Sequence, residues 1–316
     1  MVAVTADLIR AAHGRVPAAF RDSPQFISEA LSERAGVPVI VKVESANPLG
    51  CFKGRGTWLA VAELIARGAV GERHGLVVAS AGNFGQGVAF AGRAMHVPVL
   101  VYAATAANAV KVAAMRRLGA EVRLVGEDFD AAREAAAEDA SRTGWLLLVD
   151  GDDPWISVGA GGIAVELTDG VERGELPPIG ELFVPVGNGA LIGGIGAWIK
   201  AMAPASRVVG VQAAQAPAMT LSWRAGRPIE TKCADTIADG IAARVPVALA
   251  LELMLATVDE MRLVEETEIV AATADMAEAL PFSVEPSAGA AWAAALQQPR
   301  AGAIGLVMTG GNVVPP

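Results

Sequence analysis

The sequence predicts an α/β fold, built on open parallel sheets with helices packed against both faces. Two observations carry this. Short apolar runs rich in β-branched residues alternate with stretches of helical period along nearly the whole chain, as strands buried on both faces and their crossover helices do. Four of those runs also end in Gly-rich loops, at the carboxyl ends of the strands, where open α/β sheets bind their ligands. With 316 residues, 53% of them hydrophobic, the chain can bury one large core or two modest ones.

Taken in order, the residues before Val39 read as helical and end-capping. Asp22-Ser23-Pro24 is a turn or helix-start signal, and 26–35 reads as a helix. Residues 39–44 form a strand and 57–66 a helix. Strands at 75–80, 97–102, 121–125 and 146–149 then alternate with helices at 85–95, 107–118 and 129–141. A second series has helices at 161–169 and 191–202 and strands at 182–186 and 208–212. Helices at 246–255, 266–278 and 288–296 precede a last strand at 304–308. The loop from Asp150 to Pro154 is a candidate domain crossing. No repeat and no low-complexity linker stands out.

The formal charge is -9, from 34 acidic against 25 basic residues, and no basic run occurs. This argues against a nucleic-acid partner. Cys51 and Cys233 lie far apart, and a chain of this size does not need a disulfide, so a reducing cytoplasm is the simpler expectation. The N-terminus has no basic cluster ahead of an apolar run, and a signal peptide is not expected. Residues 183–199 are uncharged, but Pro185 and five glycines interrupt them, which argues against a membrane span. His13, His74 and His96 fall outside every motif.

The most informative stretch is Asn47-Pro48-Leu49-Gly50-Cys51-Phe52-Lys53-Gly54-Arg55-Gly56. It places Lys53 on a Pro/Gly-bounded loop between a strand and a helix. The flanking glycines suit a backbone that something must approach closely. A helix N-terminus and a neighbouring cation, Arg55, both disfavour positive charge there, and a neutral lysine amine forms Schiff bases with aldehydes. Three other loops share the strand-end position. Gly187-Asn188-Gly189-Ala190-Leu191 opens a helix and suits a phosphate. It is not a clean G-x-G-x-x-G, the next strand ends at Gln212 rather than an acidic residue, and no G-K-[ST] follows, so a small phosphorylated cofactor fits better than NAD or ATP. Residues 80–87 also open a helix and offer N–H donors to a carboxylate, although Ser80 or Asn83 could serve simply as an N-cap. Thr309-Gly310-Gly311-Asn312 ends the last strand.

In colinear order these segments resemble the fold type II pyridoxal-phosphate enzymes (the tryptophan synthase β-like fold), specifically the serine/threonine ammonia-lyase, or threonine dehydratase, group. That family carries P-x-G-S-F-K-x-R-G, S-x-G-N-H-x-Q-G, G-G-G-G-L and S-G-G-N. The matching stretches here are 48–56, 80–87, 187–191 and 309–312, with further likeness at 111–121, 152–154, 236–241 and 284–289. The resemblance implies a cofactor cleft between a large domain (1–65 and 151–316) and a small one (66–150), and pyridoxal 5'-phosphate as cofactor. It implies that Lys53 is the Schiff-base lysine and the base at the substrate α-carbon. Phe52 would lie by the cofactor ring, Asn83 would bond its 3-hydroxyl, and Gly187, Asn188, Gly189, Ala190 and Leu191 would hold its phosphate. Thr309 would face the pyridine nitrogen, and Gly240 and Glu285 would line the site. Ser80, Ala81, Gly82, Asn83 and Phe84 would bind the substrate carboxylate.

Several positions depart from the pattern. Cys51 and Leu49 replace Ser and Thr near the lysine, Phe84 replaces His, and Asn188 and Ala190 replace glycines. Asp150-Gly151 stands where many relatives have an aromatic. Leu49 and Phe84 are expected to make the cleft more apolar, which favours side chains larger than that of threonine, and Cys51 reads as a buried small apolar residue. The implied reaction is β-elimination from a 2-amino-3-hydroxy acid, giving a 2-oxo acid and ammonia, with the cofactor phosphate protonating the leaving oxygen. The rivals are cysteine synthase-like β-replacement and a cofactor-free binding protein. Ala81, where racemases of the group carry a serine, argues against racemisation. Gln212, Ala216 and Ala218 offer no carboxylate for a metal, and none is expected. A cytoplasmic homodimer and the absence of an appended regulatory domain complete what the resemblance implies.

Overall fold

The computed structural model describes residues 2–127, 129–297 and 302–313. Helix α1 (Ala6–His13) is N-capped by Thr5, whose hydroxyl accepts from Leu8 N. Next come β1 (Gln25–Ile27) and α2 (Glu29–Ala35), where the sequence predicts one helix over 26–35. Ser28 divides the two by capping α2 through its hydroxyl, and the residues before it pair antiparallel with β2 (Val39–Val43). Tertiary pairing thus overrides helix propensity in a three-residue segment.

Helix α3 (Lys53–Ala66) leads to β3 (Leu76–Ala79), α4 (Asn83–Ala94), β4 (Val99–Ala103), α5 (Ala109–Arg117), β5 (Glu121–Leu124), α6 (Phe129–Thr143) and β6 (Leu146–Leu147). These four strands form a parallel sheet in the order β5-β4-β3-β6. The chain then crosses to α7 (Pro154–Glu172), which starts seven residues before the expected 161. Asp153 caps it by accepting from Trp155 N, and Pro154 fills the first turn, where its missing N–H costs nothing. Glycines inside α7 hide it from a periodicity reading. They are there because neighbouring backbone is close: a Cβ on Gly159 would meet Arg55 and Gly56 of α3, and one on Gly161 the Gly194 carbonyl.

After β7 (Ile179–Pro185) come α8 (Ala190–Met202), β8 (Arg207–Ala213), α9 (Ala218–Ala225), α10 (Ala248–Thr257), β9 (Glu260–Val264), α11 (Glu266–Ala279), α12 (Pro286–Gln297) and β10 (Ala303–Met308). The larger sheet runs β1-β2-β10-β7-β8-β9, parallel except for β1. The sequence reading misses α9 and β9. Glu260 and Arg262 break the apolar run of β9, and Arg262 is buried because it donates to Glu260 and to the Ala294 carbonyl. One apolar core runs from the larger sheet through α1, α3, α7 and α8 to α4, α5 and the smaller sheet, another lies between the larger sheet and α11 and α12, and a third under α6.

Candidate functional site

Lys53 is the first residue of α3, rather than a residue of the preceding loop. That loop is folded by Asn47, whose Nδ2 donates to the Glu44 and Cys51 carbonyls and whose Oδ1 accepts from Leu49 N (2.9 Å). Gly54 and Gly56 do not make room for a ligand as the sequence suggests. A Cβ on Gly54 would strike the Phe20 ring, and one on Gly56 the Ile156 backbone of α7, so they let α3 pack closely. Arg55 is no cationic neighbour of Lys53 either. It is fully buried and bonds both Glu44 (2.7 and 2.9 Å) and Glu166 (2.6 and 2.9 Å).

The Lys53 amine reaches into a cleft of ≈ 1070 Å³ lined from both sheets, a size typical of cofactor and substrate sites. Its Nζ lies 2.5 Å from Asp150 Oδ2, and 4.8 and 5.7 Å from the ring centroids of Phe52 and Phe84. Ser80, Ala81, Gly82, Asn83 and Phe84 all line the cleft, as do Gly187, Asn188, Gly189, Leu191, Gly240, Glu285 and Thr309. Ala190 does not. Its N–H is taken by Asn188 Oδ1 at 3.0 Å, so it is not offered to an anion. Leu49 also lies elsewhere, in a smaller adjacent pocket of ≈ 310 Å³ with Gly50, Lys111 and Asn312. Of the two apolar replacements, only Phe84 lines the main cleft.

The loop after β3 is closed by Ser80, whose Oγ accepts from Gly82 N (3.2 Å) and Gly85 N (2.9 Å). Those two donors are thus already engaged. Asn83 opens α4 and ties the two sheets together. Its Nδ2 donates to the Glu285 carboxylate (3.1 and 3.2 Å), and its Oδ1 accepts from Asn312 Nδ2 (2.9 Å). Asn312 N also donates to Glu285 (3.1 Å). Burial raises the Glu285 carboxyl above its ordinary range, against the hydrogen bond from Asn83. Further out, Lys111 pairs with Asp239 and Arg244 with Asp130, joining α5 and α6 to the 239–244 segment across the cleft.

The cup between β7 and α8 fits a phosphate. It sits at a helix N-terminus, where backbone N–H groups and the helix dipole favour an anion. Gly189 takes φ +97°, and a Cβ on Gly187 would stand 2.7 Å from the Gly240 carbonyl. The hydroxyls of Thr309 and Ser287 are buried without a partner among the described residues, and both side chains line the cleft. An anion cup, unsatisfied hydroxyls, an aromatic wall and an amine within one cavity match the chemistry of pyridoxal phosphate. Cys51 is away from the lining, and burial together with Glu285 pushes its thiol up to about 12. Gln212 faces the protein, its Oε1 accepting from Thr220 N (2.7 Å) and Oγ1 (2.9 Å). Asp150 and Ser287 have no assigned part in the sequence reading. An acidic residue in a turn is ordinary, and no local signal marks it.

Residues 17–310 match the family described as pyridoxal-phosphate dependent enzyme. The L-threonine ammonia-lyase of Thermotoga maritima is 35% identical over 288 residues, covering 90% of this chain and 70% of that protein. Among solved structures, the processed form of threonine deaminase isoform 2 from Solanum lycopersicum superposes with a TM-score of 0.86 at 29% identity, covering 97% of this chain and 90% of that one. Maize serine racemase gives a TM-score of 0.90 at 26% identity, covering 99% and 95%. With the fold, the cleft and these likenesses in agreement, the chain belongs to the pyridoxal-phosphate dependent enzyme family, on the fold type II architecture, and pyridoxal phosphate is its cofactor.

Proposed function

We propose that the chain is a lyase that eliminates water from an L-2-amino-3-hydroxy acid (serine, threonine or one with a bulkier side chain), giving a 2-oxo acid and ammonia. The observation that carries this is Lys53 Nζ, set inside a cleft that also holds an anion cup and the Ser80–Phe84 loop. Pyridoxal phosphate supplies an electron sink for charge at the substrate α-carbon. Lys53 binds the cofactor and then takes the α-proton on Nζ. The cup at Gly187, Asn188, Gly189 and Leu191 would orient the phosphate, and Gly240 and Glu285 would line the cofactor site. Asn83, held by Glu285 and Asn312, faces the same cavity. Thr309 would present a neutral hydroxyl to the pyridine nitrogen, which would then need no proton, and the resulting milder sink would favour prompt loss of a β-hydroxyl. The loop at residues 80–84 receives the substrate carboxylate through amides other than those of Ser80 and Gly82, which are engaged, and the Phe84 ring gives the substrate side chain an apolar wall.

We further propose that the chain divides into a large domain (1–65 and 151–316) and a small one (66–150), and that it forms a homodimer in the cytoplasm. Sedimentation and subcellular fractionation test the last two. Among the described residues no helix is long and apolar enough to cross a membrane.

The primary test is the visible spectrum of the purified protein and of Lys53→Ala, before and after L-serine, L-threonine and a β-aryl serine. The wild type should be yellow, the variant spectrally altered, and a 2-oxo acid and ammonia should appear in equal amounts with at least one substrate. A yellow wild type that makes no 2-oxo acid from any of them, but joins a thiol to an activated serine, would move the assignment to β-replacement. A protein that stays colourless with added cofactor would make it a binding protein.

A further inference from the structure

We propose that Asp150 carries the proton to the β-hydroxyl leaving group, a role that the family resemblance gives to the cofactor phosphate. The inference rests on the elimination reading above.

Asp150 sits on the turn between β6 and α7, where the chain crosses from the smaller sheet to the larger. Its Oδ2 lies 2.5 Å from Lys53 Nζ, and its Oδ1 is buried with no partner among the described residues. The next residue, Gly151, takes φ +88°, and a Cβ there would lie 3.1 Å from Asn188 Cγ. The turn is therefore pressed against the anion cup while its carboxylate touches the amine. The rings of Phe52 and Phe84 also face Nζ. Most charged groups of the cleft are turned to one another: Lys111 to Asp239, Arg133 and Arg244 to Asp130. Asp150 thus has an unsatisfied acceptor beside the reacting amine.

Proton removal requires the substrate Cα within about 3–3.5 Å of Nζ. The β-oxygen is two bonds further on, which lets it come within hydrogen-bond reach of a carboxylate that touches Nζ. The step balances without another reactant. The Cα–H electron pair becomes the Cα–Cβ π bond while the Cβ–O pair departs with oxygen. The proton taken by Lys53 Nζ passes to Asp150 and from it to that oxygen, which leaves as water. A carboxylate at this point also selects β-substituents that donate a hydrogen bond.

The test uses Asp150→Asn, which keeps the shape and removes the proton carrier, on two substrates and in one visible spectrum. L-Serine must lose hydroxide as water, whereas β-chloro-L-alanine loses chloride and needs no proton. The variant should lose about 100-fold in kcat on L-serine while its turnover of the chloro compound stays within about threefold, which also proves that it folds. Without substrate, the visible band of the loaded enzyme should change in position or height in the variant, because the carboxylate that touches Nζ is gone. Parallel loss on both substrates would reduce Asp150 to holding the site together, and an unchanged band would place it away from Nζ in the loaded enzyme. Either result overturns the proposal, as does a variant fully active on serine. A wild type inactive on both compounds would instead bring down the elimination reading itself, and this role with it.

Discussion

Replacing Glu166 by Gln tests how the lysine-bearing helix is anchored. Lys42, Glu44, Arg55 and Glu166 are all buried, and their charges cancel. Glu166 accepts from Arg55 Nη1 (2.6 Å), Arg55 Nη2 (2.9 Å) and Lys42 Nζ (2.5 Å), and from the Asp22 and Ser23 amides. Burial alone would raise its carboxyl, but Arg55 and Lys42 more than reverse this and hold it at about 2 against an ordinary 4.5. That difference corresponds to roughly 3 kcal/mol in favour of the charged form. Glu166→Gln leaves two buried cations facing one carboxylate, a change that costs about 3–5 kcal/mol. With an unfolding entropy of about 2 cal/mol/K per residue, the melting temperature should fall by about 5–8 °C at pH 7.

The sign against pH follows from the lowered carboxyl. Its contribution is complete above pH 4.5 and is lost as pH falls toward 2. The gap between wild type and variant should therefore narrow on acidification, read by scanning calorimetry of the cofactor-free protein from pH 7 to 3. The double variant Lys42→Met/Glu166→Leu restores neutrality around Arg55 and Glu44 and should recover at least half of the loss. A fall under about 1 kcal/mol for Glu166→Gln, or a double variant no more stable than the single one, would refute the account of a charge-balanced anchor.

Gly187→Ala puts a Cβ 2.7 Å from the Gly240 carbonyl, so the cup must open. Cofactor titration followed by absorbance should show affinity reduced by at least about tenfold, roughly 1.4 kcal/mol, and the melting temperature of the cofactor-free protein should fall as well, because the clash is with backbone. Iodoacetamide at pH 8 should alkylate Cys233, which is exposed, and spare Cys51, whose thiol is pushed up to about 12 and is fully buried. Peptide mapping reads this directly, and modification of Cys51 in the folded protein would contradict its placement.

Local chemistry made much of this protein legible in its sequence. Each Gly-rich loop follows its own strand, so the lysine turn, the Ser80 loop, the anion cup and the Thr309 turn could be placed at strand ends without knowing which strands are neighbours. Helix limits were readable where periodicity is clean, as in α8 and α11, and were lost where glycines serve packing, as in α7, while strand β9 was lost because Glu260 and Arg262 interrupt its apolar run. The tertiary structure alone decided that β10 lies between β2 and β7, bringing the Thr309 turn beside the lysine loop and the cup. It also decided that Arg55 turns away from Lys53 into a buried charge network, and that Asp150, 97 residues along the chain, touches the amine. The physical reason is the same throughout. Turn and cap preferences are set by residues a few positions apart, whereas the partner of a buried charge is set by which strands and helices the core brings together.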